Sequence, residues 1–176
     1  STNMVAGNSV FSNSGQGIFI GTSGGGKRNR FVRNLIYRNT GGFLLQASTN
    51  NIFAGNDLYR NSIVAGVEIQ GNALSNRFVN NILLSNSAVG VTNAGAGTRW
   101  EYNDVFGQTR NYANSVAFAS SNLNLFADPV FSNAASGNFH LSSNSPAVDA
   151  GTTNDLMAYD ATAIAGYNRD MGAFES

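Results

Sequence analysis

The stretch NRFVRNLIYRN, residues 29 to 39, places Asn29, Asn34 and Asn39 at strict five-residue intervals. A helix repeats about every 3.6 residues and a strand every 2, so neither puts positions i, i+5 and i+10 on one face. The stretch recurs as NMVAGNSVFSN from Asn3, NIFAGNDLYRN from Asn51 and NRFVNNILLSN from Asn76, with a degraded copy, TRWEYNDVFGQ, from Thr98. The starts lie 26, 22, 25 and 22 residues apart, a period that signals stacked repeats. In the four full copies a glycine a few residues after the third asparagine leads a further short run: GIFI, GFLL, GVEI and GVTN.

Each copy therefore reads as three short strands separated by corners. Asparagine tolerates the left-handed backbone region and bonds local backbone, so the expectation places the bends at the asparagines. Stacking the copies about 4.8 Å apart aligns each asparagine with its counterpart above and below, and side-chain amides can then form ladders. Three apolar columns follow: Val5, Phe31, Phe53, Phe78, Trp100; Val10, Ile36, Leu58, Leu83, Val105; and Ile18, Phe43, Val67, Val91. Three inward columns around one axis describe an all-β, right-handed parallel β-helix of about five coils with asparagine ladders. The LxxLxL spacing of leucine-rich repeats and the six-residue period of left-handed β-helices are both absent from the sequence. The 26 asparagines include no N-x-[ST] sequon, because in the coils the second residue after a corner points inward and must be apolar.

Composition narrows the alternatives. Charged residues make up 11% of the 176, against roughly 25% in average globular domains, while the 42% hydrophobic content argues against disorder. With no cysteine, neither a disulfide, a CxxC zinc site nor a cysteine nucleophile is available. No apolar run reaches the roughly 18 residues that span a membrane, and the N-terminus lacks the layout of a signal peptide. Net charge is zero, yet residues 1–99 carry eight basic and two acidic residues, and residues 100–176 the reverse. The two parts can attract each other, or the first can offer a basic surface to an anionic partner.

The coils resemble the parallel β-helix repeats of the pectate-lyase-like superfamily, over residues 3 to about 106. After Gly107 the repeat dissolves. The runs Asp128-Pro129-Val130-Phe131, Gly137-Asn138-Phe139-His140-Leu141, Ser145-Pro146-Ala147-Val148-Asp149-Ala150-Gly151 and Asp170-Met171-Gly172-Ala173-Phe174-Glu175 resemble a tail common in bacterial secreted β-helix proteins. The expected organisation is thus one structural unit, with coils over 1–106 and an irregular C-terminal cap over 107–176. The cap covers the open end of the stack, and SPAVDAG suits a short helix with Ser145 as N-cap and Gly151 as terminator. Ser1-Thr2-Asn3 begins directly in a coil. The expectation is that this chain is the C-terminal part of a longer β-helix, or that upstream coils or a partner chain cover its first coil.

Outward positions carry the candidate sites. One column reads Met4, Arg30, Ile52, Arg77, Arg99, and another Ser12, Arg38, Arg60, Ser85. Stacked arginines repel unless an anion or an acidic residue sits between them, and Arg suits bidentate carboxylate binding. The ligand-binding candidates are Arg30, Arg33, Arg38, Arg60, Arg77 and Arg99, with Tyr37 and Tyr59 from the column Phe11, Tyr37, Tyr59, Leu84, Phe106. Against these stand a solvated or tail-neutralised arginine face, and an aromatic column that packs at a corner or beneath the C-terminal segment. His140, the only histidine, alternates with Phe139 and Leu141 and is expected to face outward in a structural role. Asp149, Asp155, Asp160 and Asp170 follow no calcium motif; calcium remains open, no cofactor is expected, and solvated loop acids are the expectation. GTSGGGKR, residues 21–28, misses the phosphate-loop pattern by having Arg28 in place of Ser/Thr. Nucleotide and nucleic acid are therefore set aside.

The resemblance implies a secreted or cell-surface protein and two functions. One is a non-catalytic β-helix module that contacts carbohydrate, with anionic polysaccharide as partner, or serves as a structural element. The other is the C-terminal part of a polysaccharide lyase acting on uronic-acid polymers, since lyases of the superfamily use Arg or Lys as base. Its hydrolases use clustered Asp, whereas Asp57 and Asp104 stand apart here. A third reading is a subunit that assembles end to end.

Overall fold

A computed structural model describes residues 2–21, 26–113, 122–153 and 169–174. Five coils each contribute three strands. They are β1 (Met4–Ala6), β2 (Ser9–Phe11) and β3 (Gln16–Ile20); β4 (Arg30–Val32), β5 (Leu35–Tyr37) and β6 (Gly41–Leu45); β7 (Ile52–Ala54), β8 (Asp57–Tyr59) and β9 (Val67–Ile69); β10 (Arg77–Val79), β11 (Ile82–Leu84) and β12 (Val89–Asn93); and β13 (Arg99–Glu101), β14 (Asp104–Phe106) and β15 (Arg110–Ala113). Equivalent strands form three five-stranded sheets: β1-β4-β7-β10-β13, β2-β5-β8-β11-β14 and β3-β6-β9-β12-β15. Every neighbouring pair in these sheets is parallel and in register. The protein is a parallel β-helix, four full turns carrying the chain from β1 to β13.

The three apolar columns face the axis. Phe31, Phe53, Phe78 and Trp100 stack nearly parallel, with centroids 4.8, 4.3 and 4.0 Å apart. Ile36, Leu58, Leu83 and Val105 fill the second column, and Phe43, Val67 and Val91 the third, all essentially inaccessible. Tyr112 extends the third column by one coil in register with Val91. Gly42 is required by close approach, because a Cβ there would run into the Gly66 carbonyl oxygen of the next coil.

The asparagines form the expected ladders. Asn56 typifies an interior step. Its N–H and Nδ2 donate to Asn81 Oδ1 at 2.9 and 2.8 Å, and Nδ2 also donates to the Phe31 carbonyl at 2.9 Å. Its Oδ1 accepts from the N–H and Nδ2 of Asn34 at 3.0 and 2.9 Å. Both amide hydrogens and both lone pairs are thereby used. The bends, however, fall one residue earlier than expected. Positive φ occurs at Gly7, Ser12, Arg28, Arg33, Arg38, Asn50, Gly55, Arg60, Ser75, Asn80, Ser85, Gly97, Tyr102 and Gly107. Each of these precedes a ladder position, and no ladder asparagine has positive φ. The physical reason is a division of labour. The preceding residue makes the bend, and the ladder Asn braces it across coils and locally, as Asn81 Nδ2 does by donating to the Val79 carbonyl at 3.1 Å.

The second ladder also runs one step further than the repeat suggests. Asn103 donates from its N–H to Asn124 Oδ1 at 2.9 Å, and the Leu125 N–H donates to the Asn103 carbonyl at 2.8 Å. Residues 122–127 thus lie on the last coil. Beyond them the described tail packs Val148 and Ala150 with Tyr102 and Leu125 at the last coil. It also lies along the flank, against the outer face of the β2-β5-β8-β11-β14 sheet. A hairpin of β16 (Phe131–Asn133) and β17 (Asn138–Leu141) joined by a 3-10 turn at Ala134–Ser136 leads this layer. Phe139 packs on Tyr37 and Tyr59, 5.1 and 5.6 Å between centroids, while Leu141, Ala147 and Met171 close over Ile82. That sheet carries Tyr37, Tyr59 and Ile82 on its outer face, and the layer covers them.

SPAVDAG forms turns rather than a helix. Ser145 Oγ does accept the Ala147 N–H at 3.1 Å. The Ala147 carbonyl, however, accepts the Met171 N–H at 3.0 Å, and Asp149 has φ of 52°, which ends any helical run. Asp170 Oδ1 accepts the Asp149 N–H at 2.8 Å. Asp155 and Asp160 lie outside the described residues.

Candidate functional site

The six arginines separate into two groups. Arg30, Arg77 and Arg99 open strands of the β1-β4-β7-β10-β13 sheet, and Arg33 turns the corner that follows β4. Arg77 and Arg99 are register partners on adjacent coils. Glu101, two residues along from Arg99, relieves their repulsion by accepting from Arg77 Nε at 3.2 Å and Nη2 at 2.9 Å. Arg30 and Arg33 are half-buried, and Arg99 is exposed.

Arg38 and Arg60 form the second group, at the corner after the β2-β5-β8-β11-β14 sheet. They occupy equivalent positions on consecutive coils, with φ of 56° and 50°, and both are exposed. Each guanidinium stands over the ring of the tyrosine before it: Arg38 5.9 Å from the Tyr37 centroid and Arg60 5.1 Å from that of Tyr59. Arg38 Nη2 also donates to the Ala135 carbonyl of the tail. Among the described residues the Arg60 guanidinium makes no hydrogen bond or ion pair, although its backbone N–H donates to the Leu84 carbonyl at 3.2 Å. Tyr59 is buried and Tyr37 half-buried, so the rings serve as the floor of this corner. Phe139 covers their far side and Phe11 stacks on Tyr37 at 4.9 Å.

Beneath the tail lies a second chemical feature, which the sequence offered only as two separate acids. Asp57, Ile82 and Asp104 are register partners on three successive coils, facing outward and fully covered. Neither Asp57 oxygen has a well-formed hydrogen bond. Burial pushes its carboxyl well above the ordinary range, opposed by the nearby Ala173 N–H. Burial likewise raises Asp104 to about 7; the Ala127 N–H, 3.2 Å from Oδ1, opposes this, and the charge of Asp128 adds to it. The Tyr112 hydroxyl is pushed up by burial and then by Asp104. These acids stand two coils apart, with Ile82 between them, and do not converge on a common point.

The remaining candidates are quickly placed. His140 is exposed on β17, as its alternation predicts, with its ring 4.3 Å from that of Phe174. In the glycine-rich excursion residues 22–25 lie outside the described residues. Strand β4, not a helix, follows it at Arg30.

A family model described as "NosD: Periplasmic copper-binding protein (NosD)" matches residues 1–73. The match covers the first three coils and agrees with the β-helix class that the coordinates define. No curated protein and no solved structure matches the chain significantly. Copper favours thiolate, thioether and imidazole donors. The chain has no cysteine, one histidine and three methionines. Met4 lies on the first coil, Met171 is buried against Ile82, His140 is on the outer hairpin, and Met157 lies outside the described residues. Among the described residues no group of three or more His, Cys, Asp or Glu could hold a metal ion. Those residues do not fit a copper centre.

Proposed function

We propose that this protein is an extracytoplasmic β-helix module that contacts anionic polysaccharide at the corner of its second and third coils, through Arg38 and Arg60. One observation carries this reading. Two exposed arginines occupy consecutive left-handed corners, a conformation that costs a non-glycine residue about 1–2 kcal/mol, and their like charges lie one coil apart. The left-handed backbone is the ordinary bend of every coil, but two stacked like charges add nothing to stability and call for a counter-charge between them. A row of carboxylates along a polymer answers both charges with bidentate hydrogen bonds, while the tyrosine floor fixes the guanidinium planes. A location outside the cytoplasm accords with the word "periplasmic" in the matched family description. No helix among the described residues is long and apolar enough to cross a membrane.

Binding is favoured over lyase turnover by the chemistry of these groups. A general base must be free to take a proton, whereas Arg38 is already held as a donor by the Ala135 carbonyl and Arg60 lies over the Tyr59 ring. Affinity electrophoresis in gels containing a uronic-acid polymer or a neutral glucan tests the proposal. Retardation by the charged polymer alone, lost in Arg38→Ala/Arg60→Ala, is the expected result. Equal mobility of wild type and double variant in every gel contradicts it. Appearance of ultraviolet-absorbing unsaturated product would instead establish the lyase reading.

A further inference from the structure

One corner of the coil varies in length. It runs from the third ladder asparagine to the glycine that directly precedes the inward residue of the third strand. Gly17, Gly42, Gly66 and Gly90 are equivalent in this respect, since Ile18, Phe43, Val67 and Val91 are register partners. The corner holds three residues after Asn13, two after Asn39, four after Asn61 and three after Asn86. The longest corner thus follows the shortest, and Ile63 and Val64 lie at its middle. Ile63 is 71% exposed, the most of any large apolar side chain among the described residues, and Val64 is 38% exposed.

The backbone of this corner is held at both ends. The Ile63 and Val64 N–H groups both donate to the Thr40 carbonyl, at 3.0 and 3.1 Å, and the Ser62 N–H donates to the Asn39 carbonyl at 2.9 Å. On the far side the Ala65 carbonyl accepts the Gly42 N–H at 3.1 Å, and Ala65 is buried. A pinned loop therefore keeps two β-branched side chains in water, where their apolar surface gains nothing. Arg60 stands two positions before Ser62, and Arg38 two positions before Thr40 on the coil to which the loop is bonded. The cationic pair and the apolar ledge share one corner of two consecutive coils.

The geometry points to Ile63 and Val64 as an acyl subsite beside Arg38 and Arg60, one that selects a uronic-acid polymer carrying ester-linked acetyl groups on its hydroxyls. Such selection rests on the arginine corner holding polysaccharide, and narrows which one. A bare uronate chain is anionic and hydroxylated throughout, so it leaves the ledge in water or beside its hydroxyls. An acetylated chain keeps its carboxylates for the guanidiniums and offers methyl groups, whose transfer from water onto Ile63 and Val64 is favourable. A methyl-esterified carboxyl would satisfy the ledge but leave both arginines without a counter-charge. Two side chains offer too little apolar area to hold the protein on a lipid bilayer.

The test is affinity electrophoresis in gels cast with an O-acetylated uronic-acid polymer or with the same polymer after alkaline de-O-acetylation. Wild type is expected to be retained about threefold more strongly by the acetylated form, the scale of one methyl group taken out of water. Ile63→Ser/Val64→Ser, with its unfolding midpoint as the control for folding, should bring retention by the acetylated polymer down to that by the bare one. Equal or weaker retention of wild type by the acetylated polymer overturns the acyl subsite alone, as does a preference that survives in the double variant. Absence of retention by either polymer overturns the arginine reading as well. Pelleting of wild type with phosphatidylglycerol vesicles, lost in the double variant, would assign the ledge to a lipid surface and also overturn the subsite.

Discussion

Asn56 and Asp57 are neighbours in sequence and both fully buried, yet the molecule treats them in opposite ways. Asn56 belongs to the coil stack, where five hydrogen bonds satisfy its side chain and N–H. Asp57 belongs to the boundary between the stack and the C-terminal layer, where neither carboxylate oxygen is well bonded. The stack buries polar groups only in a form that its repeat can satisfy. The layer buries Asp57 and Asp104 instead, and burial pushes both carboxyls above the ordinary range. Order in the stack comes from repetition, and attachment of the layer comes from apolar contact around Ile82, Leu141 and Met171 plus a protonation condition.

The contrast can be broken at several points. The largest effect is expected inside the stack: Phe53→Ala removes the ring between Phe31 and Phe78 and should cost about 4 kcal/mol in denaturant unfolding. Asn56→Ala strands buried partners on both sides and should cost about 3 kcal/mol. Asn8→Ala, at the exposed end of the same ladder, should cost under about 1 kcal/mol. Equal losses at the two positions would remove the ladder from the explanation.

At the layer the expectation is a pH dependence. The folded state raises Asp104 from 3.8 to about 7, and raises Asp57 as well. The folded protein thus binds these protons more tightly than the unfolded chain, and the associated stability is complete below the ordinary carboxylate range. It is lost as pH climbs toward about 7. Asp57→Asn and Asp104→Asn should each flatten that decline and raise stability in alkaline buffer, by about 1–2 kcal/mol. Unchanged pH profiles would show the layer held without regard to protonation. The smallest effect is expected at the arginine corner. Arg60→Asn relieves a left-handed backbone and should stabilise by under about 1 kcal/mol, while weakening retention by uronic-acid polymer. A variant that loses stability would mean Arg60 supports the fold.

The same contrast explains what the sequence made legible. Coil phase, inward columns and ladder partners were readable because each is stated five times over, and Val5, Phe31, Phe53, Phe78 and Trp100 can be aligned without a structure. The bend position had a signal that the asparagines outshone: the column Gly7, Arg33, Gly55, Asn80, Tyr102 contains two glycines. The flank packing of the tail had none. Phe139 and Met171 are stated once, and their partners lie on coils far away in sequence. For the arginines, the column was visible and the neighbours were not. Glu101 and the Ala135 carbonyl reach Arg77 and Arg38 only through the fold.

Native-state amide exchange in low denaturant tests the division most directly. Amides of Asn34, Asn56 and Asn81, which bond the ladder, should exchange only through global unfolding. Those of Ser142, Met171 and Gly172, which tie down the layer, should exchange through a separate opening of lower free energy that becomes easier as pH rises past 7. A single exchange isotherm shared by both sets, unaffected by pH, would contradict it.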